Sequence, residues 1–221
     1  MSSKSITVII LVEGQTENAF VKEVLAPYWG QRGIFVEAPV YRTQVDMRSG
    51  RIYKGGDIRF SRLKKQLLAL LKQRQDSVVA TFVDYYGIKE WPGLDRIIKG
   101  QTPYEIALTL CDGAKRELSL TYLENDVHKR FLPFVAVHEF EALLFSDASV
   151  LSTSLGIPKS IIEGTLNECG SPEAIDNNPQ TAPSKRLATW TNGSYRKAAK
   201  GIAIAQAIGI DKMRWHGEIM L

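Results

Sequence analysis

Cysteine is scarce in this 221-residue chain, and the two present, Cys111 and Cys169, form no paired metal or redox motif. That excludes a disulfide-stapled scaffold and reads as free thiols in a reducing compartment. Long apolar runs are also missing, so no window approaches a membrane span. The first residues, Met1 to Ser5, lead into only a short apolar stretch before Glu13 and make no secretion signal. These absences give the expectation of a cytoplasmic protein without a membrane partner. No Walker A loop, dinucleotide fingerprint, Gly-x-Ser-x-Gly elbow or kinase motif set is found. His138-Glu139 does not open a zinc-protease helix, because position 142 is Ala. No internal repeat is present.

What is there begins with a core-forming composition, 44% hydrophobic, and a net charge of +4. The excess permits a polyanionic partner without requiring one. Its distribution is uneven. Between Arg42 and Arg74 lie ten basic residues against Asp46 and Asp57. They read either as a solvated loop and helix face or as a surface for a phosphate backbone, with Arg42, Arg48, Arg51, Lys54, Arg59, Arg62 and Lys65 as its contacts.

The apolar run Ile6 to Val12 has the short, β-branched character of a buried strand. Gly14 permits a turn, Thr16 is placed to cap a helix, and Phe20, Val21, Val24 and Leu25 continue with helical spacing. Strands are expected at 34–41, 78–83 and 131–137, with Pro133 arguing for an edge or an early position in the last. Residues 42–57 read as a long surface loop and 87–102 as another. A basic amphipathic helix follows Phe60, and Pro103 opens a helix through Leu118. The alternation β-α-β-α-β-α-β predicts an α/β fold with a mostly parallel sheet flanked by helices. After about Asp147 the pattern turns helical, at 160–167 and 195–208. The expected organisation is an α/β core over 1–147 and a small C-terminal helical lobe over 148–221, packed on that core.

Carboxylates fall at the expected strand ends: Glu13, with Glu17 four positions on, then Asp84, then Glu139 and Glu141. Ligands of α/β sheets bind beyond the carboxyl ends of the strands. Helix-dipole stabilisation alone accounts for Glu17 but less readily for Glu13. Clustered carboxylates repel unless a cation offsets them, and hard oxygen donors suit Mg²⁺ or Mn²⁺. His138 stands beside them as a weak ligand, a proton shuttle or a hydrogen-bonding orienter. Tyr85, Tyr86 and Trp91 either stack on bases near the site or pack in the core.

Three separated segments, Leu11-Val12-Glu13-Gly14-Gln15-Thr16-Glu17, Phe82-Val83-Asp84-Tyr85-Tyr86-Gly87 and His138-Glu139-Phe140-Glu141-Ala142-Leu143-Leu144-Phe145, resemble an uncharacterised bacterial family, domain of unknown function 4276. The resemblance runs from Ile6 to about Ile210. That family in turn resembles the Toprim fold of topoisomerases, primases and the overcoming-lysogenization-defect nucleases. The resemblance implies that Glu13 and Glu17 reproduce the Glu-Gly-x-x-Glu element of those nucleases, and that Asp84 matches the first residue of an Asp-x-Asp pair. Tyr86 stands where the second Asp would be. It further implies a divalent-metal-dependent nuclease acting on DNA, in phage defence or DNA processing. Glu13, Glu17, Asp84, Glu139 and Glu141 would be its metal ligands and, with His138, its catalytic residues. A separate ABC-type ATPase and a homo-oligomer are the implied partners. The alternative is a non-catalytic nucleic-acid-binding or regulatory subunit of an ATPase-containing complex.

Overall fold

The computed structural model describes residues 6–45, 52–54, 58–122, 126–175 and 180–215. They form two compact units, divided between Val137 and His138. That division falls earlier in the chain than the change of pattern near Asp147.

Unit 1 is built on a parallel sheet. Strands β1 (Ile6–Val12), β2 (Ile34–Glu37), β6 (Ser77–Asp84) and β8 (Phe131–Leu132) stand in the order β2-β1-β6-β8, and β9 (Val135–Ala136) also pairs with β6. The helices between them are α1 (Gln15–Phe20), continued through a π-turn into α2 (Ala26–Gly30), then α3 (Phe60–Gln73), α4 (Pro103–Thr121) and α5 (Val127–Arg130). The mostly parallel, helix-flanked sheet is therefore the architecture of this unit, as the alternating pattern predicts.

Alternation along β6 explains the layers. Val79 and Val83 face a core shared with Leu11, with Leu63, Leu67 and Leu71 of α3, and with Leu110, Ala114 and Leu118 of α4. The intervening Phe82 turns the other way, edge-on to Phe20 of α1 at 6.2 Å and to Phe134 at 5.3 Å. Thr102 closes a capping box with Glu105 ahead of Pro103, which fixes where α4 begins.

Several local expectations need correction. Residues 42–57 are not wholly loop: β3 (Arg42–Val45) and β4 (Ile52–Lys54) form an antiparallel pair. The loop after Gly87 contains β7 (Ile88–Glu90), which pairs in parallel with β5 (Ile58–Arg59). The strand expected over 131–137 is two short strands. Pro133 has no N–H for the ladder, and the Thr81 hydroxyl fills the gap, accepting from Phe134 N at 3.0 Å and donating to Phe134 O at 3.2 Å. Thr16 does not cap α1, whose N-cap is Gly14 with no side-chain bond.

Unit 2 is helical among the described residues. A 3₁₀ segment, Phe140–Ser146, precedes α6 (Ala148–Leu155), α7 (Lys159–Cys169), α8 (Pro183–Trp190), α9 (Ile202–Ile208) and α10 (Ile210–Trp215). A π-turn over Lys197–Gly201 leads into α9. Leu151, Ile162, Leu187 and Ala205 are fully buried, and the Phe145 and Trp190 rings meet at 5.9 Å. No helix among the described residues is long and apolar enough to cross a membrane.

Candidate functional site

The order β2-β1-β6-β8 contains a switch point. From β1 the chain goes to β2 on one side, and β6 then pairs on the other side of β1. In open α/β sheets the crevice at the carboxyl ends of such a strand pair is where ligands bind. Glu13 immediately follows β1 and Asp84 ends β6, so the switch point carries two carboxylates.

Their geometry is specific. Glu13 N donates to Phe82 O at 3.2 Å, extending the β1–β6 ladder by one residue. Its Oε2 accepts from the Asp84 amide at 3.2 Å, which binds the two strand ends through a side chain. The Asp84 Oδ1 accepts from Tyr86 N at 2.9 Å and caps the short 3₁₀ turn Tyr85–Gly87. That turn lays the Gly87 backbone under the Glu13 carboxylate: a Cβ on Gly87 would stand 2.8 Å from Oε1 and 3.1 Å from Oε2. Glu17, in the first turn of α1, folds back in the same manner, with Oε2 at 2.8 Å from where a Cβ on Gly14 would be. Both carboxylates thus lie in cradles that a larger residue would fill. Tyr86, 52% exposed, stacks edge-on against Tyr85 at 5.3 Å.

Glu139, Glu141 and His138 belong to unit 2. Glu139 precedes the 3₁₀ segment, and its Oε2 accepts from Ser184 N at the start of α8, at 2.9 Å. Glu141 is 1% exposed and ion-paired to Lys197, whose Nζ lies 3.1 Å from Oε2. Burial raises the Glu141 carboxyl above its ordinary range, against the opposing pull of Lys197. Tyr195 also turns toward this pair. Burial first, then the charge of Glu141 and a hydrogen bond to it, then the charge of Glu139, holds its phenol far above the usual value. Both ring nitrogens of His138 are buried without a hydrogen-bond partner among the described residues, and burial lowers its pKa, disfavouring the charged ring.

Sequence reasoning missed Lys197, Ser184 and Tyr195, because no motif spacing links them to Glu139 or Glu141. It also left Trp91 open as a stacking residue. Trp91 is a core residue, 5% exposed, edge-on to Phe60 at 5.0 Å, with Nε1 donating to Leu110 O at 2.9 Å.

Of the basic residues, Arg42 and Lys54 are directly paired in register across the β3–β4 hairpin. Arg59 lies in β5 beside Glu90 of β7, and Ser61 at the start of α3 binds the Glu90 carboxylate through both its amide and its hydroxyl. The chain just after Asp84 is thereby tied to the start of the basic helix. Arg62 and Lys65 lie in the first turns of that helix, with Lys65 exposed. Arg48 and Arg51, with the glycine pair at 55–56, lie outside the described residues.

The donor chemistry at the switch point fits a hard divalent cation: the side chains are carboxylates, and two of them rest in glycine cradles. They do not amount to a finished shell. Among the described residues no three His, Cys, Asp or Glu side chains converge as a metal-holding group.

The family model for a domain of unknown function, DUF4276, matches residues 12–218. No curated protein and no solved structure matches the chain.

Proposed function

We propose that this chain, which belongs to the DUF4276 family, is a divalent-metal-dependent nuclease of Toprim-like type that hydrolyses DNA phosphodiesters. The observation that carries the reading is the strand-end pair: the Glu13 carboxylate bonded to the Asp84 amide at a topological switch point, over a glycine that leaves it room. Glu13 and Asp84 would hold Mg²⁺ or Mn²⁺, and Glu17 would orient its waters. Such an ion, when bound, polarises a phosphoryl oxygen and lowers the pKa of a coordinated water. The Asp84 amide fixes the direction of the Glu13 carboxylate. Glu17 adds negative charge at the start of α1, where the helix dipole tolerates it. Arg59, Arg62 and Lys65, at the start of α3, hold the nucleic-acid backbone by charge. Cytoplasmic DNA processing or phage defence, with a separate ABC-type ATPase and self-association as partners, is the setting this reading implies.

The test is cleavage of plasmid DNA with Mn²⁺ or Mg²⁺ by the wild-type protein, Glu13→Gln and Asp84→Asn. The proposal expects cleavage by the wild type and its loss in both variants, with folding intact. Equal cleavage by all three would overturn the assignment of the site.

A second reading is favoured by Tyr86, an exposed aromatic where the related pattern carries an acid. In that reading the chain is a non-catalytic nucleic-acid-binding subunit. It expects salt-sensitive DNA retention with no cleavage by the wild type under any divalent ion.

A further inference from the structure

Beside the β2 edge of the sheet, α1 and α3 line a shared cleft of about 710 Å³, the size of a small-ligand site. All of its walls belong to unit 1. The α1 side supplies Gln15, Asn18 and Lys22, and α3 supplies Gln66 and Gln73. Four carboxamides and one ammonium therefore face this space, and no carboxylate lines it. An exposed ammonium in a cleft without acids selects an anion.

A carboxamide presents a donor beside an acceptor, the combination that reads the edge of a nucleobase. Asn18 is held for such work, because its Nδ2 donates to Ala38 O and so fixes the plane of the amide. The main chain adds a second pair of the same kind. Val12 N donates to Pro39 O at 3.0 Å, and Val12 O accepts from Tyr41 N at 2.7 Å. The amide and carbonyl of Val40, between those two residues, thus turn away from β1 toward the open edge of the sheet. Pro39 and Leu70 provide apolar surface for the face of a ring.

The cleft is also well placed. Gln15 stands between Glu13 and Glu17 in the chain, so one end adjoins the strand-end acids. Lys22 lies about two helical turns further, roughly 10 Å away. On the opposite wall Gln66 follows Arg62 by one turn of α3, so the stripe that begins at a backbone-holding arginine continues into the cleft. A base inside an intact duplex keeps its pairing edge in the stack, and only an unpaired one can offer it to these groups.

We infer that the cleft holds one unpaired nucleotide of the DNA strand, with the base edge against the carboxamides and the Val40 main chain and its phosphate on Lys22. The inference deepens the nuclease reading, on which it rests for the choice of DNA, by making single-stranded or frayed DNA the substrate class.

The experiment measures binding by fluorescence anisotropy with a chelator present, so that no cleavage takes place. The ligands are a labelled single-stranded oligonucleotide, a strand of equal length with abasic sites, and the duplex of the same sequence. The wild type is expected to bind the base-bearing strand about tenfold more tightly than the abasic one, and more tightly than the duplex. Gln15→Ala combined with Gln73→Ala should bring the base-bearing and abasic strands level. Lys22→Met should reduce the salt slope of single-strand binding by about 0.7. All three side chains are exposed, and thermal unfolding checks that each variant keeps its fold. Equal affinity of the wild type for base-bearing and abasic strands, tighter binding of the duplex, or a preference that survives in the double variant would overturn the cleft assignment. Cleavage is scored separately with Mn²⁺. A wild type that prefers the base-bearing strand but never cuts keeps the cleft and loses the nuclease reading, and one that cuts without that preference does the reverse.

Discussion

The carboxylate of Glu13 rests on the backbone of Gly87, with Oε1 2.8 Å from the position a Cβ would take. The contact joins a residue that follows β1 to the turn that follows β6, and it makes the orientation of an acid depend on the absence of a side chain.

Gly87→Ala therefore separates site from fold. Gly87 does not require a left-handed backbone, so alanine is tolerated by the chain, and the clash falls on the flexible end of Glu13. The variant is expected to unfold at nearly the wild-type temperature while binding Mn²⁺ about tenfold more weakly, the loss typical when a ligand's supporting contact is removed. Thermal unfolding and calorimetry on the same sample check both halves. A parallel loss of stability would show that the glycine serves packing instead.

Tyr86→Asp introduces an acid at the position two after Asp84. The ring it removes is half exposed, and its main interaction is the edge contact with Tyr85. The backbone bond from residue 86 to Asp84 survives the change. Stability is expected to stay within about 0.5 kcal/mol, as for most surface substitutions, while Mn²⁺ affinity rises. Unchanged affinity in calorimetry would mean that this position does not face the ion.

Arg130 ties three carbonyls together. Nε donates to Ser77 O at 3.1 Å, and Nη2 donates to Leu71 O at 3.2 Å and Arg74 O at 2.6 Å. The end of α3 and the start of β6 are thus fastened by one guanidinium. Arg130→Met should destabilise unit 1 by about 2–3 kcal/mol, read as a lowered urea midpoint. Arg130→Lys is expected to recover only part of this, since a single ammonium lacks the planar fork.

Asp147 caps α6, with Oδ1 accepting from Ser149 N at 2.9 Å and Val150 N at 3.0 Å, while Lys212 pairs with Oδ2. Burial works to raise its pKa, but the Lys212 bond and the two amides outweigh it, and the carboxyl is held below its ordinary 3.8. The folded-state value is depressed, so the contribution is complete above the ordinary pKa and is lost as pH falls through the depressed one. Asp147→Ala is expected to cost about 1 kcal/mol near neutrality. The gap between wild type and variant should close below pH 3.8, which denaturant titrations across acid pH will show. A gap independent of pH would mean that the carboxylate's charge plays no part.

Much of the sheet was legible because its signals are local. The run Ile6–Val12 is the observed strand to the residue, and Thr102-Pro103 marks the start of α4 through capping chemistry that lies within a few positions. The β3–β4 hairpin was illegible because Arg42–Val45 and Ile52–Lys54 are too short to display the alternation of a half-buried strand. The break at Pro133 was only half legible, since the Thr81 hydroxyl that bridges it comes from a strand distant in sequence. The same distinction governs the acids. Glu13 and Asp84 stand out because each ends an apolar run, whereas Lys197 and Tyr195 reach Glu141 only through the packing of helical turns.

The bond between Glu13 and the Asp84 amide spans 71 positions of chain. A protein emerging from the ribosome N-terminus first exposes Glu13 early, but β1 has no β6 to pair with until that later stretch has also been made. Contacts so distant in sequence form slowly, because the intervening loop must close before it is rewarded. The acidic pair thus cannot form before β6 has been made, and a nascent or prematurely ended chain lacking β6 carries Glu13 without the neighbour that orients it. Whatever reaction the pair supports is withheld until the sheet is built, a form of timing written into strand order alone.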